Sequence, residues 1–118
     1  MDITFKAKKL IAIFNSYKAL VKKYGQGRAE KIKMRLDFLG AAENLGKVPV
    51  LTPHRRHELK GSRKGLFAVD LTGNYRLVFV PDHNPVPIRK DGGLDLEHIT
   101  AIGILDVEDY HNAQPCQK

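Results

Sequence analysis

Residues 66–80 read LFAVDLTGNYRLVFV, and their pattern gives the clearest indication of how this chain folds. Both ends, 66–71 and 75–80, are rich in β-branched and aromatic residues, and the glycine of Thr72-Gly73-Asn74 suits a tight turn. The segment therefore predicts a β-hairpin. Alternation along its second strand predicts one face carrying Arg76, Val78 and Val80 and another carrying Tyr75, Leu77 and Phe79.

Upstream of this hairpin, the sequence has the periodicity of two helices. Apolar side chains recur every three or four positions across residues 10–24, which is the spacing of one helix face. Gly25 and Gly27 indicate an end, since glycine tolerates the left-handed conformation in which helices stop. A second periodic run covers residues 29–46. Two amphipathic helices with a short link are expected to pack antiparallel as a helical hairpin, preceded by a brief strand at residues 3–5.

Downstream, the sequence predicts strands separated by long loops. Residues 47–65 are polar and contain prolines and glycines, so we expect mainly loop with one short strand. Residues 99–107 are β-branched and apolar, as expected for a central strand. The expected class is α+β, with helices on one face of a small antiparallel sheet. We expect a single domain, 1–118, made of a strand and helical hairpin (1–46), a basic loop (47–65), a meander (66–111) with a long surface loop (81–98), and a tail (112–118).

Charge is distributed unevenly along the 118 residues, of which 42% are hydrophobic and 28% charged. The net charge is +8 over residues 1–36, +3 over 37–65 and −4 over 66–118. A basic front with an acidic back favours contact between one face and a polyanion such as nucleic acid. Two helices with solvated lysines would give the same distribution, so charge alone leaves both interpretations open.

Several protein classes are excluded by size and composition. No apolar run approaches the roughly 18–20 residues that cross a membrane, and residues 1–6 lack the apolar core of a signal peptide. Cys116 is the single cysteine and cannot form an internal disulfide. These features favour a protein of the reducing cytoplasm without membrane contact. The chain is also too short for a large multidomain enzyme or a Rossmann cofactor domain.

Metal-binding and phosphate-loop motifs are missing from the sequence. His54 and His57 are three residues apart but lack the cysteines or helical motif that accompany zinc ligands. No glycine-rich loop precedes a helix, and Cys116 lies in a polar tail where a cysteine nucleophile is not expected. The sequence therefore predicts neither a metal nor a cofactor.

Cations and histidines instead concentrate near the predicted sheet. If the hairpin pairs with the last strand, Arg76 and His111 lie on neighbouring parts of one face, and His57 in the basic loop reaches the same place. Such groups suit metal-free phosphodiester cleavage, in which a base takes the ribose 2′-hydroxyl proton, arginine stabilises the phosphorane and an acid protonates the leaving oxygen. Tyr110 offers a ring on which a base could stack. Alternatively, the histidines are ordinary surface residues and Arg76 pairs with Asp70 across the hairpin.

Three short segments carry a resemblance to a known family. They are His57-Glu58-Leu59-Lys60-Gly61, the hairpin residues 73–79 (GNYRLVF) and the closing Val107-Glu108-Asp109-Tyr110-His111. In this order, following a helical hairpin, they resemble the HigB (host inhibition of growth) toxins of the RelE/ParE superfamily. The resemblance spans nearly the whole chain.

The resemblance implies a bacterial type II toxin that cuts mRNA in the ribosomal A site without a metal or cofactor. Its expected partners are mRNA, the bacterial ribosome and a helix-turn-helix antitoxin of the HigA type. Carried over by position, the expected catalytic residues are His57, Arg76, Asp109, Tyr110 and His111. Lys60 and its neighbours in the basic loop are the expected substrate-binding residues: Arg55, Arg56, Arg63 and Lys64.

Loop 81–98 and tail 112–118 depart from the compact family pattern, and the loop is expected to alter contacts with the ribosome or antitoxin. Two other functions stay open at this point. One is a toxin of the ParE type that inhibits DNA gyrase without cutting nucleic acid. The other is a basic nucleic-acid-binding module with no activity.

Overall fold

The computed structural model describes residues 1–109. Three helices occupy the first half of the chain: α1 (Lys8–Phe14), α2 (Tyr17–Tyr24) and α3 (Gln26–Ala41). Within these residues there are also five strands: β1 (Asp2–Phe5), β2 (His57–Glu58), β3 (Phe67–Asp70), β4 (Tyr75–Pro81) and β5 (Ala101–Asp109). Short 3₁₀ turns lie at Leu45–Lys47, Gly61–Arg63 and Leu96–His98. The expected α+β class is confirmed.

The first predicted helix is divided in two. The Ser16 hydroxyl accepts a hydrogen bond from the backbone N–H of Ala19 at 3.2 Å, so it caps a new helix at the position where periodicity alone predicted continuation. Between α2 and α3 the link is shorter than expected, because Gly25 alone, at φ 89°, separates them. The two helices pack against each other through residues such as Leu20 and Ile32.

The sheet order is β1-β5-β4-β3-β2. The hairpin predicted over residues 66–80 is confirmed as antiparallel β3 and β4, and β5 pairs antiparallel with β4. β1 differs from the expected antiparallel arrangement, since it pairs parallel with β5, with Asp2 opposite Ala101. The helices and the other strands lie between β1 and β5 in the sequence. Local sequence patterns therefore do not reveal that these two strands pair.

The apolar core lies between the helices and one face of the sheet. Helix residues such as Leu10, Ile32 and Leu39 meet strand residues such as Leu77 and Phe79, all of them buried. On the opposite face a much smaller apolar cluster comprises Leu59, Ala68 and Val78, with Leu66 and Leu105 packed against it. The sheet therefore has a helix-covered face and a second face, here called the distal face.

Loop 81–98 folds back onto the domain rather than extending from it. The N–H of Arg89 donates to the Gly93 carbonyl at 2.7 Å, and Ile88 bridges to Leu94, which closes a small hairpin. Val86, Leu94 and Leu96 pack against the core. Within residues 1–109, no helix is long and apolar enough to span a membrane.

Candidate active site

Two rows of side chains lie across the distal face. Residues paired directly across strands share a face. The first row comprises His57 of β2, Ala68, Val78 and Asp106, and the second comprises Asp70, Arg76 and Glu108. Histidine and arginine, which lie 19 positions apart in the sequence, are therefore placed in adjacent rows of one surface.

Glu108 is the centre of the second row. Arg63, from the turn Gly61–Arg63, binds both of its carboxylate oxygens, and Nη2 of Arg76 donates to Oε1 at 3.2 Å. The side chains of Glu108 and Arg76 are only 16% and 12% exposed, so the contact between them is shielded from water. Burial alone would raise the pKa of Glu108, but hydrogen bonds and charge from the two arginines hold it below its usual range. The cluster carries a net charge of one positive unit.

His57 is held by its own loop. Its Nδ1 lies 2.8 Å from the carbonyl oxygen of Arg55, and because a carbonyl only accepts, Nδ1 carries the proton. In the neutral ring this leaves Nε2 as the proton acceptor. A half-buried imidazole with a fixed tautomer is suited to act as a general base.

Arg55 itself is in the left-handed region, at φ 46°, which costs a non-glycine residue about 1–2 kcal/mol. Three contacts hold it there. Its N–H donates to the Leu51 carbonyl at 2.9 Å, its carbonyl accepts from His57, and its Nε lies 2.9 Å from Oδ2 of Asp70. The loop conformation that orients His57 is therefore tied to the second row of the distal face.

Arg35 supports this arrangement from α3 and was not singled out in the sequence. The residue is 5% exposed, its Nε donates to the carbonyl of Asp70 at 2.7 Å, and Nη2 donates to the carbonyl of Pro53 at 3.4 Å. Burial lowers the pKa of Arg35, while Asp70 acts in the opposite sense. The one indication in the sequence that Arg35 is buried was its position about one helical turn from the apolar Ile32 and Leu39.

The structure places some of the predicted site residues on the distal face and others along the edge strand β2. Arg55, His57, Arg63 and Arg76 contribute to the distal face, whereas Arg56, Lys64 and the exposed Lys60 border hollows along the edge strand β2. The alternative ion pair between Arg76 and Asp70 is wrong. Although these residues are opposite each other, Arg76 binds Glu108 and Arg55 binds Asp70.

Asp109 lies on the other face from Arg76. It is opposite Tyr75, whose ring packs at 3.9 Å from the guanidinium of Arg28 on the helix-covered side. By alternation it points away from Glu108, which precedes it. Tyr110 and His111 lie outside the described residues, so their roles stay predictions from the sequence. Glu108, which the structure places between two arginines, was not among the expected site residues.

His54, considered in the sequence only as a metal ligand, packs against Phe38 with ring centroids 4.2 Å apart. Burial and the nearby Arg35 lower the pKa of His54, which favours its neutral form. Nowhere in residues 1–109 do three or more histidine, cysteine or acidic side chains lie close enough to hold a metal ion.

Comparison with known proteins gives matches in structure only. No family model and no curated protein matches the sequence. Among solved structures, a YoeB/ParE toxin from Agrobacterium tumefaciens is similar, with 13% identity, a TM-score of 0.51 and coverage of 92% of this chain and 96% of that one. The fold is that of YoeB/ParE-type toxins.

Two structures from Staphylococcus aureus have the same fold. A YoeB-YefM complex matches with 16% identity and a TM-score of 0.51, and a YoeB dimer with 17% identity and a TM-score of 0.50. Each match covers 92% of this chain and 94% of the other. At such identities the likeness is one of fold alone, so the superfamily and the HigB resemblance stay predictions from the sequence.

Proposed function

We propose that this chain is the toxin of a bacterial type II toxin–antitoxin pair and a HigB-like, ribosome-dependent mRNA endonuclease. The observation that carries the proposal is the placement of His57, with Nε2 as its proton acceptor, in the row beside the Arg63–Glu108–Arg76 cluster. A proton acceptor beside cations on one sheet face is what metal-free cleavage of RNA requires. The fold shared with YoeB/ParE-type toxins supports the same proposal.

In the proposed reaction, Nε2 of His57 takes the proton of a ribose 2′-hydroxyl. The 2′-oxygen attacks the adjacent phosphorus and the bond from phosphorus to the 5′-oxygen breaks, leaving a 2′,3′-cyclic phosphate and a 5′-hydroxyl. Arg63 and Arg76 stabilise the charge on the phosphorane oxygens. The leaving 5′-oxygen takes a proton from a general acid, for which His111 is the candidate from the sequence, with Tyr110 stacking on a base.

The remaining expected residues have supporting roles in this proposal. Lys60 and Arg55 bind RNA phosphates near the reacting bond. The exposed lysines of the helices contact ribosomal RNA, and their contribution should weaken with salt. The partner that silences the protein in the cytoplasm is a helix-turn-helix antitoxin of the HigA type, a proposal supported by the YoeB-YefM complex among the structures of the same fold.

The test is cleavage of mRNA by purified protein, with and without bacterial ribosomes, mapped by primer extension. We expect cuts only with ribosomes, and the His57→Gln variant should cleave about 10²–10⁴-fold more slowly while unfolding at the same urea concentration as the wild type. His98→Gln is the matched control, because His98 is an exposed histidine that pairs only with Asp95 among the described contacts. Full cleavage by His57→Gln would contradict the mechanism.

Two further results would redirect the assignment. Double-strand breaks produced together with gyrase, without truncated mRNA, would indicate inhibition of the ParE type. Salt-dependent RNA binding without cleavage or growth arrest would indicate a binding module. Cuts in naked RNA would retain the nuclease and remove the ribosome from the proposal.

A further inference from the structure

A second group of cations faces a cavity on the other side of β2. The cavity has a volume of about 490 Å³ and lies between the basic loop and the hairpin of loop 81–98. Arg56 and Lys64 border it from the basic loop, and Arg89 borders it from the hairpin. It is formed only because loop 81–98 folds back onto the domain.

This cavity is separate from the distal face. Glu58, which also borders it, is opposite Phe67 in the sheet, and Phe67 belongs to the helix-covered core. His57 precedes Glu58 in the same strand and therefore faces the other way. Successive residues of β2 thus serve two different surfaces.

The charge around the cavity favours an anion. Its border carries three cationic side chains and one carboxylate, that of Glu58, whose Oε2 already accepts a hydrogen bond from the N–H of Gly65 at 2.9 Å. Arg89 also pairs with Asp91 at 3.2 Å. An adjoining hollow of about 390 Å³ shares Arg56 and Arg89 and adds Asp95 and Glu97, but these two carboxylates do not border the cavity itself.

Arg56 is held by a backbone carbonyl, and Arg89 lies close to a glycine. Nε of Arg56 donates to the Val48 carbonyl at 2.8 Å, which holds its guanidinium at the cavity border. The guanidinium of Arg89 lies close to Gly93. A Cβ added at position 93 would be only 2.7 Å from Nη2 of Arg89. Glycine at this position therefore leaves the space that the Arg89 guanidinium occupies.

We propose that this cavity binds the phosphate group of a nucleotide, with the base against the apolar side chains of Leu94 and Leu96. Its volume is in the range of small-molecule sites, and the combination of an apolar wall with a few convergent charged groups is typical of them. Arginine binds phosphate through two parallel N–H groups, and lysine adds a point charge. The nucleotide is either free or part of an RNA strand. The proposal goes beyond RNA cleavage, since it needs no reaction on the distal face.

The test is calorimetric titration at low salt with three probes: adenosine 5′-monophosphate, adenosine, and a six-residue oligoadenylate. We expect adenosine to bind at least 10-fold more weakly than its monophosphate. Arg89→Gln and Lys64→Gln should each weaken binding of a phosphate-bearing probe by about 10-fold, corresponding to one charged hydrogen bond. Lys90→Gln is the matched control, an exposed lysine of the same hairpin that does not border the cavity.

A second variant changes geometry without changing charge. Gly93→Ala should displace the Arg89 guanidinium and weaken binding in the same sense as Arg89→Gln. Weakening seen only with the oligoadenylate would assign the site to an RNA strand, and weakening with the monophosphate would assign it to a free nucleotide. If neither probe responds to Arg89→Gln and Lys64→Gln, or if Lys90→Gln weakens binding equally, the proposal is wrong. Cleavage of mRNA by the wild type is measured in its own assay and does not enter the titration with the monophosphate, so failure of the nuclease proposal would be recognised separately.

Discussion

The two faces of the sheet use neighbouring residues of the same strands for different purposes. On the helix-covered face, Leu77 and Phe79 are fully buried in the main core. On the distal face, Arg76 and its partners Arg63 and Glu108 form a charged cluster with one small apolar group beside it. The difference indicates that stability depends mainly on one face, so the other can hold charged groups whose arrangement suits chemistry.

The largest expected effect is on the helix-covered face. Phe79→Ala should lower the free energy of unfolding by about 3–5 kcal/mol, because it removes a buried ring that stacks on Phe67 with centroids 6.1 Å apart. Val78→Ala, the adjacent buried residue on the distal face, should cost about 1–3 kcal/mol. Urea denaturation at neutral pH measures both. Equal losses would mean that the small distal cluster contributes as much as the main core.

A smaller effect is expected at Glu108. Glu108→Gln keeps the shape of the side chain but removes the charge that Arg63 and Arg76 share, so we expect a loss of about 1–3 kcal/mol at pH 7. The variant is compared with the wild type by urea denaturation. An unchanged stability would show that repulsion between the two arginines is not relieved by this carboxylate.

The difference in stability between the wild type and Glu108→Gln should depend on pH in a defined direction. The pKa of Glu108 is lower in the folded chain than in the unfolded one, so the folded state binds this proton less readily. The carboxylate therefore stabilises the fold above the ordinary glutamate pKa of about 4.3, and that stabilisation is lost as the pH falls through the folded value. The stability difference between wild type and Glu108→Gln should be full at pH 6–7 and shrink below about pH 4. A difference that stays constant down to pH 3 would contradict the assignment.

Alternation explains which parts of the distal face were predictable. It placed Arg76 and Val78 together from the sequence of β4 alone, and the structure agrees. Placing Glu108 beside Arg76 requires the register of β5 against β4, which alternation does not give and which shifts between Val78 and Phe79. Asp70 was the expected partner because it lies in the adjacent hairpin strand. Arg63 could not be found in this way, since it reaches Glu108 from a turn whose path depends on tertiary packing.

Other features required information that local patterns do not contain. Ser16 divides a periodic helix because its hydroxyl accepts a hydrogen bond from the backbone N–H of Ala19 and caps a new helix. Hydrophobic periodicity does not indicate such a cap. The parallel pairing of β1 and the burial of Arg35 depend on segments far apart in the chain. Loop 81–98 contains three prolines and lies on the surface as expected, but the sequence did not predict that Val86, Leu94 and Leu96 pack against the core or that the loop borders a cavity.

The smallest effect is expected at the more exposed ion pair of the distal face. Asp70→Asn removes the charge facing Arg55 while its backbone N–H and carbonyl keep their bonds to His54 and Arg35. Since the Arg55 side chain is 49% exposed, we expect a loss below about 1 kcal/mol. This loss should decline between about 0.05 and 0.5 M salt, over which the Debye length falls about threefold.

Asp37→Asn is the matched control for this last prediction, because Asp37 pairs with Lys33 on the exposed surface of α3 and should cost still less. Comparing the two variants distinguishes an ion pair that orients a functional loop from an exposed ion pair within one helix. If Asp70→Asn slows RNA cleavage while its stability changes as little as that of Asp37→Asn, the pair acts by holding the Arg55 loop, and with it His57, in position. If cleavage is unchanged, the hydrogen bond from Nδ1 of His57 to the Arg55 carbonyl is sufficient to orient the ring without help from the second row.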